Sequence, residues 1–136
     1  MATVANVANN ALEVAQNVGL REKVLWTNPN VNSEFIPQTV NLSDDVSKYK
    51  LVCIDFIVTI VIPRKFSVVF SVRNRPTSGN NTMYANGWTN NTGFKPVNRD
   101  FGFETNTTCF FGAGHQEYQN ADANGCAVPV SIIAFG

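Results

Sequence analysis

Two hydrophobic periods divide the chain. Over residues 1–19, Val4, Val7, Ala11, Val14 and Val18 recur at alternating spacings of three and four, the a/d seam of a coiled coil. Ala8, Leu12 and Ala15 widen the stripe, while Asn6, Asn9, Asn10, Glu13, Gln16 and Asn17 take the other faces, and Gly19 follows as a helix stop. The stripe is thin, built from Val and Ala, and covers only about two and a half heptads, too little for a helix stable by itself. It reads as the stump of a stalk held together by an oligomer. β-Branched residues at both a and d favour three strands over two. A heptad already in mid-register after Met1 implies more stalk upstream.

Beyond Gly19 the period becomes two. Val52, Ile54, Phe56, Val58 and Ile60 alternate with Cys53, Asp55 and Thr59 until Pro63; Phe66, Val68, Phe70 and Val72 alternate with Lys65, Ser67, Ser71 and Arg73. These two runs are predicted as adjacent antiparallel strands. Shorter strands are expected at Lys23–Trp26, Gln38–Leu42, Thr82–Asn86, Val97–Glu104, Thr107–Phe111 and Val128–Phe135, with at most one helical turn at Ser43–Lys48. Turn residues separate them, as in Asn28-Pro29-Asn30, Pro76 to Asn81 and Asp122-Ala123-Asn124-Gly125. Many short strands without a second helix predict an antiparallel β-sandwich or jelly-roll-like head over 20–136, following the 1–19 stalk.

Charge sharpens the picture. Only 15% of the 136 residues are charged, ten of each sign, so no basic patch for nucleic acid or membrane is present. Polarity comes from uncharged groups, 18 Asn among them, which suits a virion or extracellular surface. No apolar run approaches the ~18 residues of a membrane span, and no secretory signal is visible. Cys53, Cys109 and Cys126 form neither a CxxC pair nor an even set, so no zinc site is indicated; Cys53 reads as a buried thiol, and a Cys109–Cys126 bridge stays open.

Catalytic chemistry is sparse. His115, the lone histidine, lies in Gly112-Ala113-Gly114-His115, read as a flexible connection; no nucleophile elbow or phosphate loop accompanies it. Asp100 and Glu104 share a strand face but stand roughly 13 Å apart at strand rise, too far for a glycosidase pair. Asp55 lies among apolar residues, with Arg73 or Arg99 as a partner. Binding is the better lead. Thr82 to Phe94 and Phe110 to Asn120 space aromatic rings through small polar residues, a composition that stacks on sugar C–H faces and hydrogen-bonds sugar hydroxyls. Trp88, Tyr84, Asn90 and Tyr118 are the candidate ligand contacts, on polar loops between Pro76 and Pro96 and between Gly112 and Gly125. Trp26 is read as packing near the stalk exit.

Leu25-Trp26-Thr27-Asn28-Pro29-Asn30, then Ser33 to Ser43 with its Phe35 and Gln38-Thr39, then Tyr49 before a long apolar strand, resembles the opening of a C-terminal domain of bacteriophage tail fibres and related minor virion proteins. Asn124 to Gly136 is similar to that domain's closing strand, with its proline and final glycine. The similarity covers about half of the β region, leaves Pro76 to Tyr118 unmatched, and departs at Gly136, where such proteins often add a lysine. It implies a homotrimeric virion protein whose distal β head contacts the bacterial surface; with the sparse catalytic and metal-binding inventory above, the expectation is a non-enzymatic head, without cofactor or metal, that contacts host surface glycan or another bacterial receptor alongside other tail proteins. A purely structural trimerising fibre, head-fibre or baseplate element is the alternative, and a glycan depolymerase tip the third.

Overall fold

The computed structural model describes residues 21–78, 81–90, 93–116 and 122–136, with the backbone alone described over 81–90 and 93–95. The predicted stalk residues Val4, Val7, Ala11, Val14 and Val18, and the candidate contact Tyr118, lie outside the described residues. Among the described residues, eight strands form two four-stranded antiparallel sheets. They are β1 (Glu22–Thr27), β2 (Gln38–Asn41), β3 (Leu51–Thr59), β4 (Lys65–Ser71), β5 (Asn81–Asn90), β6 (Gly93–Thr105), β7 (Thr108–Gln116) and β8 (Cys126–Phe135). One sheet runs β1-β8-β3-β4 and the other β2-β7-β6-β5. The chain changes sheet at β1–β2, β2–β3, β4–β5 and β7–β8, so each edge-forming pair β1 and β2 begins a separate layer.

The period-two runs produce the core. Val52, Ile54, Phe56 and Val58 are buried along β3, as are Val97, Phe101 and Phe103 along β6. Between the sheets, Phe56 meets Phe101 and Phe111 at centroid separations of 6.5 and 6.3 Å, and Phe70 meets Phe101 and Phe103 at 5.8 and 6.1 Å. These are edge-on and tilted geometries that aromatic quadrupoles favour. A fully buried ring such as Phe56 contributes on the order of 3 kcal/mol.

The expected β3–β4 pair forms, with Leu51 opposite Ser71 and Ile57 opposite Lys65. The single predicted helical turn appears as a 3₁₀ turn over Val46–Lys48, capped by Asp45. Three expectations change. β5 runs on through Trp88 to Asn90 and pairs with β6 from Gly93, so the segment between Pro76 and Pro96 is largely a hairpin, not a loop. β7 continues through Gly112, Ala113, Gly114 and His115; those glycines reflect close packing rather than flexibility. Asp55 pairs with neither Arg73 nor Arg99: it accepts from the Ser67 and Ser131 hydroxyls on the outward side of β3. The serines opposite it in register solvate the carboxylate locally, so it needs no arginine.

Strand register defines two ends. Glu22, Phe135, Leu51 and Ser71 line up at the entry end, where the Gly136 N–H also donates to the Arg21 carbonyl at 2.9 Å. The opposite, distal end carries the 28–37 connection, the β3–β4 turn, the β7–β8 connection and the β5–β6 hairpin. At the entry end Asp44 accepts from the Tyr49 hydroxyl at 2.8 Å and from Lys48 Nζ at 3.1 Å. The Tyr49 hydroxyl, the Asp45 N–H and Lys48 hold its carboxyl at about 2, below the ordinary 3.8. A lowered carboxyl stabilises the fold above its unfolded value and loses that effect as pH falls through the folded one. The melting-temperature difference between wild type and Asp44→Asn is therefore expected to be constant above pH about 5, to shrink progressively below it, and to vanish by about 1. A difference that persists unchanged at pH 2 would remove this assignment.

Candidate functional site

The 28–37 connection leaves β1 at mid-height, because Thr27 faces Ser131 in the middle of β8. Asn28 ends the strand: its side-chain amide donates to the Pro129 carbonyl at 2.9 Å, and its Oδ1 accepts the Asn30 N–H at 2.9 Å. Asn30 repeats the motif toward Asn32. Successive Asn-capped turns of this kind are what an Asn-Pro-Asn sequence favours. The chain then rises to Phe35, whose N–H reaches the Asn124 carbonyl at 2.9 Å, and returns through Pro37 into β2.

Between β1 and β2 this path leaves an open cleft of about 490 Å³, walled by Trp26, Asn28, Asn30, Glu34, Phe35, Gln38 and Asn41 among others. Trp26 forms part of its floor. The indole packs against Phe35 and Phe111 at 5.9 and 5.8 Å and remains half-exposed toward the cleft. The packing expected of Trp26 is present, but β1 carries the residue away from the entry end to the open edge of the sandwich. Glu34, Gln38, Thr39 and Asn41 are exposed along the rim. Glu34 also borders a second depression of about 270 Å³ at the distal end, with Ile60, Val61 and Gln116. Val61 and Ile36, 79% and 60% exposed, present apolar surface on these distal connections.

One side chain holds the cleft wall in place. Arg99, fully buried on β6, donates from Nε to the Ala127 carbonyl at 2.8 Å and from Nη1 to Phe35 and Gly112 at 2.8 and 2.7 Å. Its Nη2 donates to Asn124 and Cys126, both at 3.0 Å. A guanidinium has five N–H donors, and all five end on carbonyls, so none is left for a carboxylate or an incoming anion. Burial lowers its pKa to about 10, leaving it charged at neutral pH; the Phe35 ring lies 5.5 Å from the guanidinium carbon. Arg99 is thus a scaffold for the 28–37 and β7–β8 connections, and no reactant can use it.

Gly114 belongs to the same scaffold. A β-carbon there would come within 2.5 Å of the Ala123 and Cys126 carbonyls and 2.7 Å of Arg99 Nη2. Ala127 adopts a left-handed backbone, φ 47°, uncommon for a residue with a side chain, and its carbonyl is one of the Arg99 acceptors.

Of the sequence-predicted contacts, Tyr84, Trp88 and Asn90 lie on β5, where Tyr84 pairs with Asn98, Trp88 with Phe94 and Asn90 with Gly93. Asn98 in turn pairs with His115. Positions 84, 88 and 90 sit on β5, the edge strand of the β2-β7-β6-β5 sheet. They lie at the sheet edge remote from β2, so the cleft and the hairpin are separate surfaces. Cys109 and Cys126 are buried free thiols, which closes the bridge left open by their spacing. Among the described residues no three His, Cys, Asp or Glu gather closely enough to hold a metal ion, and no helix is long and apolar enough to cross a membrane.

The cleft residues were the least visible in the sequence. Trp26 looked like one apolar residue in a Val-Leu-Trp run, and only the turn chemistry of Asn28-Pro29-Asn30 hinted at an opening beside it. No protein-family model matches this chain, and no curated protein matches it.

Proposed function

We propose that this chain is the non-enzymatic, receptor-binding head of a bacteriophage tail-fibre-type virion protein, a homotrimer with a jelly-roll-like β-sandwich and an N-terminal coiled-coil stalk, which attaches the particle to host surface glycan. The observation that carries the reading is the Trp26 cleft. A half-exposed indole beneath a rim of exposed amide, hydroxyl and carboxylate side chains suits a saccharide, whose C–H face stacks on a ring while its hydroxyls take amides. The hairpin positions Tyr84, Trp88 and Asn90, with Tyr118, supply a second contact surface. The structural alternative, a trimerising fibre or baseplate element without a receptor, draws support from Asn28, whose amide nitrogen is committed to Pro129 and whose Oδ1 is committed to the Asn30 N–H, and from Asn30, whose Oδ1 takes the Asn32 N–H.

Purified bacterial lipopolysaccharides, capsules and teichoic acids, arrayed and probed with the intact chain, separate the two. Binding to at least one polysaccharide is expected. Thr39→Ala with Asn41→Ala removes an exposed rim hydroxyl and an exposed rim amide and should weaken that binding about tenfold, the equivalent of two ordinary hydrogen bonds, at unchanged melting temperature. Trp88→Ala should cost a similar factor if its ring stacks on sugar. A folded trimer that binds none of the polysaccharides favours the structural element, and measurable release of reducing ends would favour the depolymerase.

A further inference from the structure

Among the described residues of β2-β7-β6-β5, Asn98 pairs with His115 and Thr105 with Thr108, with Glu104 exposed and Phe110 half-buried. On β1-β8-β3-β4, one register row crosses all four strands as Val24, Ile133, Cys53 and Val69. Phe135 and Leu51 extend it in the next row. Val24, Leu51 and Val69 are 48, 40 and 60% exposed. A continuous apolar band on an outward face marks an interaction surface.

We infer that this face is where copies of the chain pack against one another in the oligomer. The inference rests on the homotrimer of the proposed function and names its surface. The occupant follows from connectivity: β1, the edge strand of this sheet, continues directly from residues 1–20, whose Val4–Val18 heptad stripe is a seam for copies of the same chain. Copies joined upstream of Glu22 present their β1-β8-β3-β4 sheets to each other, and the apolar row begins three residues past Arg21, at Val24. Asp55 in the following row is already solvated by Ser67 and Ser131, so burying the band leaves that carboxylate partnered, while Glu22 ends the Phe135 and Leu51 row on the edge strand β1, at the rim of the band. Size sets the balance. Four strands of about seven residues span roughly 19 by 23 Å, about 440 Å², less than the roughly 800 Å² per partner of a standard stable interface. The face therefore needs the stalk, and the stalk needs the face.

The full chain in sedimentation equilibrium should give three times 14.9 kDa, 44.7 kDa. Val69→Glu, at an exposed position that a monomer tolerates, should shift it to 14.9 kDa with an unaltered circular dichroism spectrum. Cys53, half-buried while Cys109 and Cys126 are buried, supplies a second readout: its alkylation should be at least tenfold faster in Val69→Glu than in wild type. A trimer that survives Val69→Glu with Cys53 alkylated at the variant's rate overturns this surface and leaves the trimer standing. A wild-type monomer overturns both. A monomer whose Cys53 becomes accessible only when residues 1–18 are deleted would place that segment, not a second copy, on the face.

Discussion

Arg99→Met is expected to lower the unfolding free energy by about 4 kcal/mol, or to abolish folding. Methionine approximates the arginine's length but donates nothing, so the carbonyls of Phe35, Gly112, Cys126 and Ala127 lose this donor together, while that of Asn124 keeps the Phe35 N–H. Each buried acceptor left unpaired costs on the order of 1–3 kcal/mol, and the total is moderated by water entering from the cleft side. For a domain of this size the loss corresponds to a fall in melting temperature of about 15 °C. Arg99→Lys keeps the charge but offers three donors in place of five, and should recover less than half of the loss. Urea unfolding of the three proteins checks this. A Met variant within 1 kcal/mol of wild type, a threshold of about one ordinary hydrogen bond, would mean that the carbonyls find water at no cost.

Gly114→Ala is the second large effect, expected at about 3 kcal/mol. The added methyl meets two backbone carbonyls and the Arg99 guanidinium inside ordinary contact distance, and none of these is the free end of a flexible chain. The β7–β8 connection must move away, which strains the Gly114 carbonyl's bond from the Ala123 N–H, now 2.7 Å; overpacking of this kind costs typically 1–3 kcal/mol or more. Because both residues hold the same connection, the double variant Arg99→Met with Gly114→Ala should lose at least 1 kcal/mol less than the sum, the range of coupling seen between residues in contact. Strict additivity would separate the two residues and remove the single-scaffold description.

The strand periods are legible in the sequence alone, since alternation of Val, Ile and Phe with Cys, Asp, Thr, Lys and Ser along 51–71 has one solution: an antiparallel pair with one face buried. The sequence also marked the Ser43–Lys48 turn and the strand at Val128–Phe135, because local chemistry (an Asp cap, a β-branched run) suffices there. It could not place Arg99. An arginine between Asn98 and Asp100 in an alternating strand looks like any solvent-facing charge, and only the approach of three separate segments supplies the carbonyls that make its burial tolerable. The extent of β5 and β7 was hidden for the same reason: Gly87, Gly112 and Gly114 weaken strand propensity, whereas pairing partners contributed by β6 and close neighbours across the sandwich override it. Which polar face is exposed, and that an apolar band crosses Val24, Ile133, Cys53 and Val69, depends on register between strands distant in the chain. Register is a tertiary property, because shifting one strand by a residue exchanges every inward side chain for an outward one.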